Sequence, residues 1–369
     1  MIVNKPPMGW NTWNTFGKSI NDQLIRETAD KMVSEGLLEA GYEYLVVDDC
    51  WSLHQRDAEG RLQPDPEKFP YGMKDLIDYV HSKGLKFGMY TSCGPLTCAG
   101  HPASYDHEFV DAKTFASWGV DFLKYDRCWK PYNEPCDLVY RRMGLALKNS
   151  GRDILFAACS WGIEGTPQWI KCTGAGMWRS TGDILDSWEA IKRIYTENIN
   201  LQQYNGKGVF NDMDMLVVGM RGKGYAALDG CNDTEYRTHF SIWSMFASPL
   251  IIGCDIRSMD EGTREILLNK DVISINQDPM CAQPYHIDND VWIRHLANGD
   301  IAILVINMKD DRSRFYFTLS DLGITMNAGL KFEMTDLWTK ETSYLENEAR
   351  LIWLEAHDCL FLRCRFVER

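Results

Sequence analysis

Several things are missing from this sequence at once. Its longest apolar runs, such as Pro249-Leu250-Ile251-Ile252-Gly253-Cys254, are far too short for a bilayer, where a spanning helix needs about 20 residues. Positive charge is in deficit: 39 Lys and Arg face 52 Asp and Glu, a net charge of −13, so nucleic acid is a poor partner. Histidine is scarce at eight, and no C-x2-C pair occurs among twelve cysteines, which leaves no zinc-ligand spacing. Neither G-x-G-x-x-G nor G-x4-G-K-[ST] is present, which removes the phosphate-cradling loops of open doubly wound sheets. No apolar segment of a signal peptide follows Met1. The expectation is a cytoplasmic protein of bacterial type, or one whose leader has been removed. Cysteines such as Cys254 and Cys359 then read as reduced core residues.

What is present is order. The 369 residues, 45% apolar and 25% charged, suit a two-domain globular protein. Eight short, mostly apolar runs flanked by Gly or Pro fill the first 280 or so residues: Met8–Trp13, Tyr44–Asp49, Phe87–Thr91, Phe122–Asp126, Ile154–Ser160, Met177–Asp183, Val209–Leu216 and Pro249–Asp255. They read as buried parallel strands. Helical spacing lies between them, at Asp22–Leu38, Met73–Ser82 and Asp186–Tyr195. Eight strand–helix units in series predict a (β/α)8 TIM barrel over residues 1–284. Beyond Asn276-Gln277-Asp278-Pro279 the pattern changes to strands alone: Val291–His295, Asp300–Asn307, Arg314–Leu319, Lys331–Leu337 and Leu351–Leu362, with Asn298-Gly299-Asp300 as a turn. Residues 285–369 are expected to form a small antiparallel β-sandwich.

A barrel of this kind places its chemistry at the C-terminal strand ends. The second run ends in Asp48-Asp49-Cys50-Trp51, the fourth in Lys124-Tyr125-Asp126, and the sixth in Arg179-Ser180-Thr181-Gly182-Asp183. The seventh holds Asp212-Met213-Asp214, the eighth ends in Asp255, and Trp10, Trp13 and Tyr90 stand among them. Carboxylates accept hydroxyl hydrogens and aromatic rings take the apolar face of a sugar. A carboxylate pair is also what glycosidic cleavage requires, and it needs neither metal nor cofactor. Other readings stay open. An Asp at a strand end can simply cap the next helix. An enolase-type barrel would hold Mg2+ on such carboxylates with Lys124 as base. A barrel that binds sugar without turning it over would look the same.

Six ordered motifs narrow the choice. Pro7-Met8-Gly9-Trp10-Asn11-Thr12-Trp13, Asp48-Asp49-Cys50-Trp51, Phe122-Leu123-Lys124-Tyr125-Asp126, Trp178-Arg179 with Asp183, Asn211-Asp212-Met213-Asp214-Met215-Leu216 and Ile275-Asn276-Gln277-Asp278-Pro279 together resemble glycoside hydrolase family 27. That family holds the α-galactosidases and α-N-acetylgalactosaminidases. The resemblance spans the barrel and extends to the β-domain. It implies a retaining α-galactosidase with Asp126 as nucleophile and Asp183 as acid/base. It also implies Asp48 and Asp49 on the sugar's C4 and C6 hydroxyls, Lys124 on C3 and C4, Arg179 and Asp214 near C2 and C3, and Trp13 and Tyr90 as apolar walls. Lys124, two residues from Asp126 on one strand face, should lower the nucleophile's pKa, and the acid Asp183 should hold the higher one. Retention requires the two carboxyl groups about 5–5.5 Å apart.

The sugar is marked less clearly. After Cys159, α-galactosidases of the family commonly carry Glu and α-N-acetylgalactosaminidases carry Ser followed by Ala. Here Ser160-Trp161-Gly162-Ile163 mixes the two, and a β-L-arabinopyranosidase is a third alternative. By the same resemblance, Cys50 lacks the disulfide partner of secreted relatives. Cys98 and Cys128, at the site's rim, keep a known pair but are expected as thiols. Met213 replaces a common Pro. Asp212 is expected to orient a neighbour and Asp255 to cap a helix. His101 and His107 are expected as exposed loop residues. The loops Gly94–His107, Trp129–Pro135 and Met220–Asp233 should decide what the sugar is attached to. No oligomeric state follows.

Overall fold

A computed structural model describes residues 3–287, 290–323, 330–345 and 349–368. Residues 1–2 of the expected barrel, and 288–289, 324–329, 346–348 and 369 of the expected β-domain, lie outside the described residues.

The eight runs are strands: β1 (Met8–Asn11), β2 (Tyr44–Val46), β3 (Lys86–Ser92), β4 (Phe122–Asp126), β5 (Leu155–Cys159), β6 (Met177–Arg179), β7 (Phe210–Asp212) and β8 (Leu250–Ile252). All pair in parallel, in the order β7-β6-β5-β4-β3-β2-β1-β8. The ring closes where Leu216, just past β7, bridges Ile252 and donates its N–H to the Ile251 carbonyl at 2.7 Å. Most strands are shorter than the apolar runs suggest. Met177–Asp183 keeps only three residues as strand, which leaves Asp183 in the loop beyond.

The runs are apolar throughout because both faces are covered. On β2, Leu45 faces the helices, while Tyr44 and Val46 join Phe122, Leu155, Ala157 and Phe210 in a small cluster inside the barrel. The lumen is narrow enough to require glycine on β3. A Cβ on Gly88 would stand 2.7 Å from Val46 Cγ2 and 3.0 Å from Phe122 Cδ1. The first long helix, Asp22–Ser34, begins where Asn21 accepts the Leu24 N–H. It stops short of Leu38 because Gly36 takes φ 81°, and a separate turn, Leu37–Ala40, follows.

The helix Asp233–Met245 opens with a capping box from Asn232 and Glu235. From Glu235 to Met245 every residue but Arg237 is buried, because the helix lies between the barrel and a second layer. That layer is built from β9 (Tyr285–Ile287), β10 (Val291–His295), β11 (Ile301–Ile306), β12 (Ser313–Thr318), β13 (Leu330–Asp336), β14 (Thr342–Leu345), β15 (Ala349–Leu354) and β16 (Cys359–Glu368). A six-stranded antiparallel sheet, β14-β13-β16-β11-β10-β9, accompanies a two-stranded one, β12-β15. Ile293, Ile303, Val305, Phe315, Phe317 and Ile352 share one core, while Trp292, Leu304 and Phe361 join the barrel's core. This explains why β11 is apolar at every position. The expected strand Leu351–Leu362 is two strands, because the chain turns between them with His357 at φ 61°. The short strands β9 and β14 escaped the sequence pattern.

Candidate active site

The carboxylates at the strand ends meet at one mouth. Lys124 and Asp126 point the same way from β4, as alternation demands. Lys124 Nζ donates to Asp48 Oδ2 at 2.8 Å. Asp48 also accepts Asn11 Nδ2 at 2.8 Å and the Asp49 N–H at 2.9 Å. Asp49 in turn accepts the Cys50 N–H at 2.6 Å and the Ala99 N–H at 2.9 Å, which ties down the loop carrying Cys98. Asp126 is buried. Its Oδ1 accepts the Arg127 N–H at 2.8 Å, and its Oδ2 accepts the Tyr90 hydroxyl at 3.0 Å. The Cys98 sulfur stands 3.8 Å from that same oxygen.

Arg179 divides its guanidinium between two carboxylates, with Nη1 2.8 Å from Asp214 Oδ1 and Nη2 2.5 Å from Asp183 Oδ1. Asp214 sits at φ 78°, and Asp212 Oδ1 accepts its N–H at 2.9 Å, the orienting role expected of Asp212. The indole N–H of Trp243 donates to the Asp214 carbonyl at 2.8 Å, so the buried central helix fixes this part of the floor. Met213, in place of a Pro, supplies an N–H to Ser248 Oγ at 3.0 Å, a bond Pro could not make. Asp255 accepts the Arg257 N–H at 3.0 Å, a cap as expected.

Electrostatics correct one expectation. Burial pushes the Asp126 carboxyl up, and Lys124 offsets this only in part. Burial also acts on Asp183, but Arg179 and Lys124 outweigh it and hold that carboxyl below its usual value. The order is therefore the reverse of the expected one. The reason is position: Asp126 is enclosed, whereas Asp183 lies at the rim with its side chain 67% exposed and paired to Arg179. Lys124 is half-buried, and burial works against its charge, yet Asp48 keeps it cationic, its pKa above the ordinary lysine value.

Trp13 lines the rim, edge-on to Tyr225 with ring centroids 4.8 Å apart. Ser160, just beyond β5, is 0% exposed and its Oγ has no hydrogen-bond partner among the described residues. Cys159 faces the barrel interior, alongside Asn11, Lys124, Arg179, Asp212 and Met215. Neither Cys159 nor Asn11 was singled out from the sequence. Alternation on β5 carries the signal for Cys159, which shares a face with Ala157.

Cys98 and Cys128 form a disulfide, with Cα atoms 5.2 Å apart, against the expectation of two thiols. Register explains it: Ser92 pairs with Asp126 across β3 and β4, so the loops beyond both strands run side by side at bridging distance. The two sulfurs and Asp126 cluster as metal ligands might, but both sulfurs are already bonded to each other. Cys50 is a free, buried thiol, as expected. His101 is not an exposed loop residue. It is nearly enclosed and stacked on His54 with ring centroids 4.2 Å apart, and burial lowers its pKa. His107 is half-buried, with Nδ1 3.1 Å from the Tyr105 carbonyl.

A family model described as "Alpha galactosidase A" matches residues 5–278. The chain belongs to the α-galactosidase (melibiase) family. A second model, the α-galactosidase C-terminal β-sandwich domain, matches residues 287–364. The chain is 43% identical over 359 residues to an α-galactosidase of Cyamopsis tetragonoloba, covering 96% of this chain and 84% of that one. It is 44% identical over 358 residues to one of Coffea arabica, covering 96% and 92%. α-Galactosidase I of Mortierella vinacea superposes with a TM-score of 0.90 at 32% identity, covering 99% of this chain and 98% of that one. The Saccharomyces cerevisiae α-galactosidase with raffinose gives 0.86 at 27%, covering 99% and 98%. The protein is thus a glycoside hydrolase of the α-galactosidase family. No helix among the described residues is long and apolar enough to cross a membrane.

Proposed function

We propose that the protein is a retaining α-galactosidase acting on oligosaccharides with a terminal α-linked galactose. The observation that carries this reading is the convergence of an enclosed carboxylate, Asp126, and a rim carboxylate, Asp183, around the cations Lys124 and Arg179. In this reading Asp126 attacks the anomeric carbon while Asp183 protonates the departing oxygen. Water activated by Asp183 then releases galactose from Asp126, so two inversions give net retention. Asp48, Asp49 and Lys124 hold the sugar's C3, C4 and C6 side, Arg179 and Asp214 its C2 and C3 side, and Trp13 and Tyr90 wall it in. Cys98 packs at its edge.

Arg179 resolves the reversed order of the two carboxyl groups. Its guanidinium serves Asp183 and Asp214 together in the free protein. A sugar hydroxyl that draws Arg179 toward Asp214 relieves Asp183 of its cation and lets that carboxyl keep a proton. The enolase-type alternative needs Lys124 as a neutral base, and the ion pair with Asp48 opposes that. We place the domain boundary between residues 284 and 285. We propose a cytoplasmic location on the strength of ten free thiols.

The test is hydrolysis of p-nitrophenyl α-galactoside, α-N-acetylgalactosaminide and β-L-arabinopyranoside side by side, with Asp126→Ala as control. Preference for the galactoside, lost in the variant, supports the reading. Preference for either other sugar, or turnover surviving in the variant, overturns it.

A further inference from the structure

Tyr225 is an exposed aromatic ring at the mouth that the reading above gives no role. It lies in the long connection between Leu216 and Asn232 and is 63% exposed, yet its backbone is firmly held. The Tyr225 N–H donates to the Thr15 carbonyl at 3.1 Å, and the Ala226 N–H to the Asn14 carbonyl at 2.8 Å. The Ala226 carbonyl accepts the Asp186 N–H at 2.9 Å. Asp186 is itself anchored, accepting the Gly222 N–H at 2.7 Å and the Tyr236 hydroxyl at 2.9 Å. The segment is therefore stitched between the chain just after Trp13 and the chain just after Asp183.

The ring is backed on the protein side. Trp13 meets it edge-on, and a Cβ on Gly17 would stand 2.7 Å from Tyr225 Cδ2. The remainder faces solvent. A ring held this rigidly, with its outer face open, offers a flat surface on which an apolar partner can stack. Its location says which partner. The galactose pocket is closed by the carboxylates and cations inside the barrel, with Trp13 as its wall. Tyr225 packs on Trp13, and its neighbour Ala226 accepts the N–H of Asp186, three residues beyond Asp183, the group assigned above to protonate the leaving oxygen.

Building on the proposed α-galactosidase reading, we infer that Tyr225 is a specificity residue that stacks on the leaving-group sugar and favours oligosaccharide substrates. A pyranose presents an apolar face of C–H groups to the ring, while its hydroxyls stay in water.

The experiment compares substrates whose leaving groups differ in whether they can stack. Melibiose and raffinose carry a leaving sugar; α-galactosyl fluoride releases only fluoride. Tyr225→Ala is expected to lower kcat/KM on melibiose and raffinose by about tenfold, mainly through KM, and to leave the fluoride within about twofold. Tyr225→Trp should restore the disaccharide rate. An equal loss on the fluoride would mean the ring acts only by propping Trp13, and no loss on either sugar would mean it does not bind them; both overturn the inference. Wild-type turnover of the fluoride, abolished in Asp126→Ala, reports on the underlying reading separately. If the wild type leaves the fluoride untouched, that reading falls and takes this inference with it.

Discussion

Replacing Tyr90 by Phe removes one hydrogen bond and leaves the rest of the ring in place. The hydroxyl donates to Asp126 Oδ2 at 3.0 Å, so its loss destabilises the carboxylate relative to the acid. A hydrogen bond to a charged group contributes about 1.5–3 kcal/mol. The lower end applies, because the Arg127 N–H stays on Oδ1 at 2.8 Å and Lys124 remains nearby. At about 1.4 kcal/mol per unit, the Asp126 pKa rises by about one unit. The competent form has Asp126 ionised and Asp183 protonated. Below the acid limb of kcat/KM its population is governed by Asp126, so the variant is about tenfold slower there. Above the alkaline limb it is governed by Asp183 alone, so the two enzymes converge. Between the limbs, the ligand-free order found here, Asp126 raised and Asp183 lowered, extends the tenfold loss across the plateau. The assay is kcat/KM on p-nitrophenyl α-galactoside from pH 3 to 9. A loss that is uniform at every pH, alkaline side included, or no loss at all, refutes the reasoning. A loss confined to the acid limb refutes the reversed order.

Other consequences can be checked separately. Asp126→Gly with azide should convert an activated α-galactoside into β-galactosyl azide, and Asp183→Gly should give the α-azide, because azide then meets the glycosyl-enzyme; identical anomers from both variants contradict the assigned roles. Burial pushes the Asp212 carboxyl up to about 6. Its protonated form therefore lends stability that is complete below pH of about 4 and is lost as pH rises through about 6. Asp212→Asn keeps the acceptor for Asp214 but cannot titrate. Its Tm should therefore fall less steeply between those pH values than that of the wild type, and parallel Tm curves would count against it. Gly162 sits at φ 70°, where a Cβ would stand 2.0 Å from the Ser180 carbonyl oxygen. Gly162→Ala should cost about 1–3 kcal/mol in thermal unfolding, and an unchanged Tm would show that the loop yields freely.

Much of this was legible in the sequence for a physical reason. A strand buried on both faces must be apolar along its length, so eight short runs mark eight barrel strands, and their polar ends mark the mouth. Lys124 and Asp126 were readable as neighbours because alternation on a strand leaves no choice. Long-range contacts were not readable. Asp183 and Arg179 are four residues apart, but the order of the two carboxyl pKa values depends also on the enclosure of Asp126, which is not local. Ser160 and Cys159 illustrate the same limit. The motif drew attention to the residue after Cys159, whereas the pleat of β5 turns Cys159 itself toward the barrel interior. His101 looked exposed because loops usually are, and stacking on His54 from another loop buries it. Tyr225 was hidden because its partners, Trp13 and Thr15, come from a distant segment.

The most direct test of the central claim is a proton NMR time course of p-nitrophenyl α-galactoside hydrolysis, following the anomeric signals of released galactose before mutarotation. The account predicts α-galactose as the first product, with the β-anomer growing only as the sugar equilibrates. β-Galactose as the first product, or no galactose released, would contradict it.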